Sequence, residues 1–402
     1  MQRIFTERAH LMCPNMCFGI AMTVNRPYDE AAIKDAVMRL SAAHPFLNAL
    51  LGYDEAGNDY YYRVTDKCRA ELCLKGQGVD EKVTPEVVFS QLTGRDWNLF
   101  EEGMLKIVAW PLGQNTQLLL VFHHLLADGR GALGLAEEVA ECYCFGKELK
   151  AAPEKLISSV EDFPPDSRMP LISRMLVDRA NKNWAKERHH VTYEEYHAFA
   201  NEFLKGDKVR HLVSRTGAEE LGEIRKKCHE EKVTINDYLI AKMMLEENTR
   251  KVIIAGDLRS RLGCYNEGAL GNYSTAFSVE RKKAGSDLYT LARAVHEKVV
   301  KILSSPADLY LVLQCYANLY PGILDAALIS CKGGFDSKAA KFIGSMFFGF
   351  EAGGGYSITN LGKIESESIA NAYFIPPASP AIRKTQGILT VNGVMTVCTS
   401  ER

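Results

Sequence analysis

The run QLLLVFHHLLADGR, residues 117–130, limits what this chain can fold into more than any other stretch. MLKIVAW (104–110) and QLLLVF (117–122) flank the loop PLGQNT and read as an antiparallel pair of buried strands. The second strand delivers the chain to two adjacent imidazoles, His123 and His124. Asp128 and Gly129 follow at short range, and ALGLAEEVAECYC (132–144) reads as an amphipathic helix. Neighbouring side chains of a strand face opposite ways, so His123 and His124 cannot share one pocket while the strand continues. If one imidazole is catalytic, the other is structural.

An imidazole that titrates near the working pH can take the proton of an alcohol, amine or thiol as that group attacks a carbonyl. Asp128, if buried, requires a partner, and an arginine would hold it in a bidentate fork. Gly129 removes a side chain where a ligand or a tight turn needs space. The helix opening near Arg130 turns its amino-terminal amides toward the same place. The competing reading is a pair of core or metal-binding histidines beside a turn, and HH or DG alone would not exclude it. Their combination at a strand-to-helix junction favours a catalytic site.

Composition restricts the function classes. The chain has 402 residues, a formal net charge of −2 and 47% hydrophobic residues. That is material for two domains or one large one, and no overall basic field invites nucleic acid or an anionic membrane. No apolar run approaches the roughly 18–20 residues of a spanning helix. MQRIFTERAH lacks the apolar core of a secretory signal, so a cytoplasmic location is expected. Eleven scattered cysteines without a CxxC pair read as free thiols in a reducing compartment, and no metal site is expected.

Along the chain, GIAMTV (19–24) reads as a strand and DEAAIKDAVMRL as a helix capped by Asp29, with a second strand near Asn48. Four prolines in 150–172 mark a linker between halves, 1–172 and 173–402. The second half reads as a helix ending in KERHH, a strand at 208–215 and a helix at 219–231. A helix capped around Thr234 to Asp237 follows, then strands at 251–256 and 272–279. Two helices (about 285–303 and 306–330), a strand at GYSITNLG and a terminal pair near YFI and ILTVNGVMTV complete it. His189-His190 reads as a solvated helix end, and EAGGGY (351–356) as a loop, since no GK[ST] follows it. Strands and helices alternate in both halves, which places the chain in the α/β to α+β class.

FHHLLADG resembles the HHxxxDG signature of the chloramphenicol acetyltransferase-like superfamily, which includes condensation domains and alcohol acetyltransferases. AHPFLNALL, RDWNLFEEGMLKIVAW, VTINDYLIAKMM, GDLRSRL, LGNYST and YSITNLG are similar to further elements of that group, so the resemblance spans most of the chain. The DFGWG element of the plant acyltransferases is absent. The resemblance implies two acetyltransferase-like α/β domains, built as two-layer sandwiches, that form a pseudo-dimer around a central tunnel. It implies His124 as general base, His123 as a supporting residue, and Asp128 as a structural carboxylate paired with Arg259 of DLR, or less readily with Arg261. Gly129 completes the motif.

Asn272, Ser274, Thr359 and Asn360 carry donors that could face an oxyanion or substrate, although Gly271-Asn272 also suits a turn and Asn360 a strand end. The activity implied is transfer of an acyl group from a thioester to a small-molecule alcohol or amine, with no acyl-enzyme. The co-substrate would be acyl-CoA or acyl-phosphopantetheine, the latter on an acyl carrier protein, with no permanently bound cofactor. With no carrier or adenylation module in the sequence, a free-standing monomeric enzyme is expected. A non-catalytic small-molecule binding protein on the same fold is the alternative from another class.

Overall fold

The computed structural model describes residues 2–57, 59–75, 83–187, 189–281 and 287–402. The first half forms β1 (Gln2–Arg3), α1 (Arg8–Leu11), β2 (Cys17–Val24), α2 (Glu30–Ala43), β3 (Ala49–Asp54), β4 (Asp59–Val64) and β5 (Glu71–Leu74), then α3 (Pro85–Thr93), β6 (Leu105–Leu112), β7 (Asn115–His123) and α4 (Gly129–Phe145). The second half begins with α5 (Leu171–Glu187), α6 (Tyr193–Gly206), β8 (Arg210–Thr216), α7 (Ala218–Glu230), α8 (Ile235–Glu246), β9 (Lys251–Asp257) and β10 (Ser274–Glu280). It continues with α9 (Leu288–Leu303), α10 (Pro306–Leu309), α11 (Leu311–Asn318), α12 (Pro321–Cys331) and α13 (Lys338–Ile343). Four strands end it: β11 (Gly355–Ile364), β12 (Ile369–Ile375), β13 (Ile382–Val391) and β14 (Val394–Glu401).

The first half's main sheet has the order β12-β2-β7-β6-β5, with β7 antiparallel to both neighbours. Leu118 to Phe122 are almost wholly enclosed at its centre, which is why this strand carries no polar alternation. Helices α3 and α4 pack against this sheet. A small sheet, β1-β4-β3, stands beside it, and the second half builds a six-stranded sheet, β10-β9-β11-β13-β14-β8. The result is a mixed α/β fold.

The halves are interlocked. Strand β12 leaves the second half and pairs antiparallel with β2, Phe374 opposite Ile20 and Ile375 opposite Gly19. A boundary at residue 172 therefore divides the sequence but not the sheets. Gly387 of β13 is where the crossing strand passes, since a Cβ there would lie 2.6 Å from the Phe374 carbonyl oxygen. Arg8 of α1 donates to Asp325 of α12 through Nε (2.6 Å) and Nη2 (2.7 Å), and to Asp59 of β4 through Nη1 (2.5 Å).

Several elements differ from the sequence reading. The stretch 306–330 is three helices: Tyr310 interrupts it once, and Pro321 forces Tyr320 into an extended conformation. Helix α6 occupies a stretch that its charged surroundings conceal, although Thr192 and Glu195 form a complete capping box. Its Tyr193 hydroxyl donates to the Trp97 carbonyl, and His197 Nδ1 lies 2.7 Å from Asp96 Oδ2. Strands β4 and β5 and helix α3 are also additional. β10 begins at Ser274, because Asn272 and Tyr273 are held by the loop after β7.

Candidate active site

β7 ends at His123, whose N–H bonds the Met104 carbonyl, and the chain then turns out of the sheet. His124 lies in the turn, anchored by its N–H to the Met16 carbonyl (3.0 Å). The two imidazoles consequently have separate surroundings. His123 is buried beside Trp97, and its Nδ1 accepts from the Leu125 N–H at 3.3 Å. Burial, with His124 adjacent, pushes its pKa down to about 3, so it stays neutral.

His124 is half-buried and held on three sides. Its Nδ1 is 2.9 Å from Asn272 Oδ1, while Asn272 Nδ2 donates to the His124 carbonyl at 2.7 Å. The amide nitrogen is thus committed to a carbonyl, so its oxygen faces the ring and Nδ1 carries the hydrogen. Nε2 is left with the lone pair. The Phe18 ring meets His124 edge-on at 5.1 Å, and His10 of α1 stacks on it with centroids 4.3 Å apart and planes 23° apart. Burial lowers the His124 pKa against the opposing pull of its own carbonyl, Asp128 and Asn272. Burial, reinforced by His124 and His123, lowers His10 well below the ordinary imidazole range.

Asp128 is the N-cap of α4 and is almost fully enclosed. Its carboxylate accepts from Arg259 Nη2 (2.8 Å) and Gly131 N (3.0 Å) on Oδ1, and from Arg259 Nη1 (3.0 Å) and Tyr273 N (2.9 Å) on Oδ2. Burial alone would raise this carboxyl, but Arg259 and the two amides outweigh it and hold the pKa below the usual value. The carboxylate thus has four donors, and among the described residues no hydrogen bond joins it to either imidazole. Arg259 also packs over the Tyr265 and Tyr273 rings, whereas Arg261 donates to the Leu303 carbonyl.

Gly271, at φ +144, gives its carbonyl to the Asp128 N–H. Asn272 and Tyr273 follow it across the turn, so LGNYST clamps the HHxxxDG loop from the second half. Asn272 therefore orients His124, and its amide is not free to face an oxyanion. Ser274 starts β10 opposite Asp257, Thr359 lies in β11 opposite Gly387, and Asn360 Oδ1 accepts from Gly362 N. Among the described residues no hydrogen bond joins these three to His124. NLG contributes differently. The Leu361 carbonyl accepts from Arg130 Nη1, and Leu361 fills the space above Gly129, where a Cβ would lie 2.7 Å from its Cδ2.

A cavity of about 1070 Å³ opens between residues of both halves. Its wall includes Arg8, Tyr60, Phe100, Trp184, Tyr193 and Asp325, but not His124. His189 and His190 are exposed just past the end of α5, as the sequence suggests, and also lie on this wall with their rings against Trp184. Helix α1 connects the two regions, with Arg8 on the cavity and His10 on His124. His124, with Asn272 as its hydrogen-bond partner, lies outside this wall. His10 was missed in the sequence because a lone histidine in a four-residue helix has no periodicity or motif to single it out. Among the described residues no group of three or more His, Cys, Asp or Glu is placed to hold a metal ion. No helix among them is long and apolar enough to cross a membrane.

No family model matches the sequence, and no curated protein matches it. Solved structures do match over the whole chain. Polyketide synthase associated protein 5 from Mycobacterium tuberculosis aligns with TM-score 0.61 and 14% identity, covering 100% of this chain and 92% of its own. The condensation domain from the Monacolin K polyketide synthase MokA aligns with TM-score 0.59 and 11% identity, covering 100% and 91%. A starter condensation domain of rhizomide synthetase RzmA, solved with C8-CoA and Leu-SNAC, aligns with TM-score 0.57 and 9% identity, covering 98% and 86%. The chain has the fold of condensation-type domains.

Proposed function

We propose that the protein is an acyltransferase that moves an acyl group from a thioester to a hydroxyl or amine, with His124 as general base. The observation that carries this reading is the Asn272–His124 pair, which leaves Nε2 as the basic nitrogen in a half-buried turn. The nucleophile's proton passes to Nε2 as its heteroatom attacks the thioester carbonyl. The intermediate then collapses, the C–S bond breaks, and the departing thiolate recovers the proton from His124 as a free thiol. His123 fixes the turn, and Asp128 with Arg259 joins the two halves around it. The donor in this reading is acyl-CoA. Its counterpart on the same chemistry is an acyl-phosphopantetheine presented by a carrier protein.

The condensation-type fold supports this class of reaction, and a mutant of the RzmA starter condensation domain was solved in complex with C8-CoA and Leu-SNAC. The test is thiol release from acyl-CoAs and from acyl-carrier proteins, each with pooled alcohols and amines. His124→Ala is expected to lose at least about 10²-fold in turnover, in the range of general-base removal, with an unchanged melting temperature. Because His124 titrates below the ordinary imidazole range, the acidic limb of wild-type turnover is expected below pH 6.5. Turnover equal to wild type in His124→Ala would sink the assignment.

A further inference from the structure

We propose that His10 is a second catalytic imidazole, donating an N–H to the oxyanion that forms as His124 activates the nucleophile. The inference rests on the acyl-transfer reading above and adds to it the group that meets the developing charge. Tetrahedral intermediates require such a donor, and its placement commonly governs the rate. The residues with suitable groups in the sequence do not supply one. Asn272 Nδ2 is directed to the His124 and Leu125 carbonyls, and among the described residues Ser274, Thr359 and Asn360 make no contact with the His124 ring of the kind that His10 makes. His123 faces the other way and takes the Leu125 N–H.

His10 is placed for the role. Its ring lies 4.3 Å from that of His124, nearly parallel to it. Among the described residues neither of its ring nitrogens has a hydrogen-bond partner, and neither is among the sealed orphan polar atoms. Both His10 and His124 are only partly buried, so neither stacked ring is sealed from a reacting group. The attacking atom and the oxyanion are substituents of one carbon. Two imidazoles a stack's width apart can reach both through hydrogen bonds of about 2.7–3.1 Å. Burial and the two neighbouring imidazoles favour the neutral form of His10, which carries one N–H. As the bond to the carbonyl carbon forms, the C=O π pair moves to oxygen and the His10 N–H stabilises it. On collapse the pair returns, the C–S bond breaks and the thiol leaves with the proton from His124.

The experiment compares wild type, His124→Ala, His10→Phe and His10→Asn with the acyl-CoA and acceptor that give the fastest thiol release. His10→Phe keeps a stacked ring of similar size without an N–H. It is expected to lower kcat about 10²–10³-fold with KM within about twofold, as loss of one oxyanion donor does. Its acidic limb should stay where the wild type has it. His10→Asn restores a donor without the stack and is expected to recover at least about tenfold over His10→Phe, with all variants checked for an unchanged melting temperature. A His10→Phe enzyme within about threefold of wild type, or one whose loss is entirely a displaced acidic limb, overturns the proposal while the His124 reading stands. Wild-type turnover that does not depend on His124, or no turnover with any donor, overturns both.

Discussion

Glu7 is the N-cap of α1, the short helix that carries His10. It is almost fully enclosed, and neither carboxylate oxygen has a hydrogen-bond partner among the described residues. Burial raises its pKa to about 7. Its folded value therefore lies above the unfolded value of about 4.5, and the folded state holds a proton that the unfolded chain releases. That contribution is fully present below pH 4.5 and is lost as the pH rises through 7. Glu7→Gln removes the ionisation, so between pH 4.5 and 8 the wild type should lose about 3 kcal/mol relative to the variant. Urea unfolding of both proteins at the two pH values measures this. Parallel stability curves would show that Glu7 ionises freely. With Arg8 and His10, α1 and its N-cap carry three titratable groups inward, of which Glu7 and Arg8 are almost fully enclosed.

Among the elements, β12 depends most on its surroundings. Its residues Tyr373, Phe374 and Ile375 are buried, and its hydrogen bonds run to β2 in the other half's sheet. β13 passes it at Gly387, where a Cβ would meet the Phe374 carbonyl oxygen and ring, both at 2.6 Å. At Gly129 an added Cβ would meet only the end of the Leu361 side chain, which can rotate away. Gly387→Ala is therefore expected to cost about 1–3 kcal/mol, and Gly129→Ala less, because backbone cannot yield as a methyl can. Denaturant midpoints of the two variants decide it, and equal costs would mean that β12 shifts freely against β13.

At the scale of the whole molecule, the links that tie the halves together include β12 in the first sheet, Arg8 on Asp325, and Asp128 on Arg259. The last of these ends at the N-cap of α4, five residues after the strand that delivers His123. Asp128→Asn keeps the shape but leaves Arg259 with only the half-exposed Asp257 carboxylate, on Nη1 at 3.1 Å. Breaking a buried pair from one side costs about 3–5 kcal/mol, so a clear drop in melting temperature should accompany any loss of turnover. An inactive variant with an unchanged melting temperature would give Asp128 a direct part in the chemistry.

Much of this was readable from local pattern. An uninterrupted apolar run requires a buried strand, a strand separates the faces of adjacent histidines, and Asp-Gly before an amphipathic stretch opens a helix. These depend on residues within a few positions of one another, so β7, the turn and α4 are legible in the sequence. The carboxylate's need for an arginine was legible too, but two candidates stood in DLRSRL. Tertiary structure placed the Arg259 fork on Asp128 and turned Arg261 to Leu303. Contacts between distant segments left no such trace. Asn272 sets the tautomer of His124 from 148 positions away, His10 reaches it from a four-residue helix, and β12 joins a sheet whose other strands lie in the first half. Periodicity states which side chains face inward, but not which segment they will meet there. That choice was made by packing.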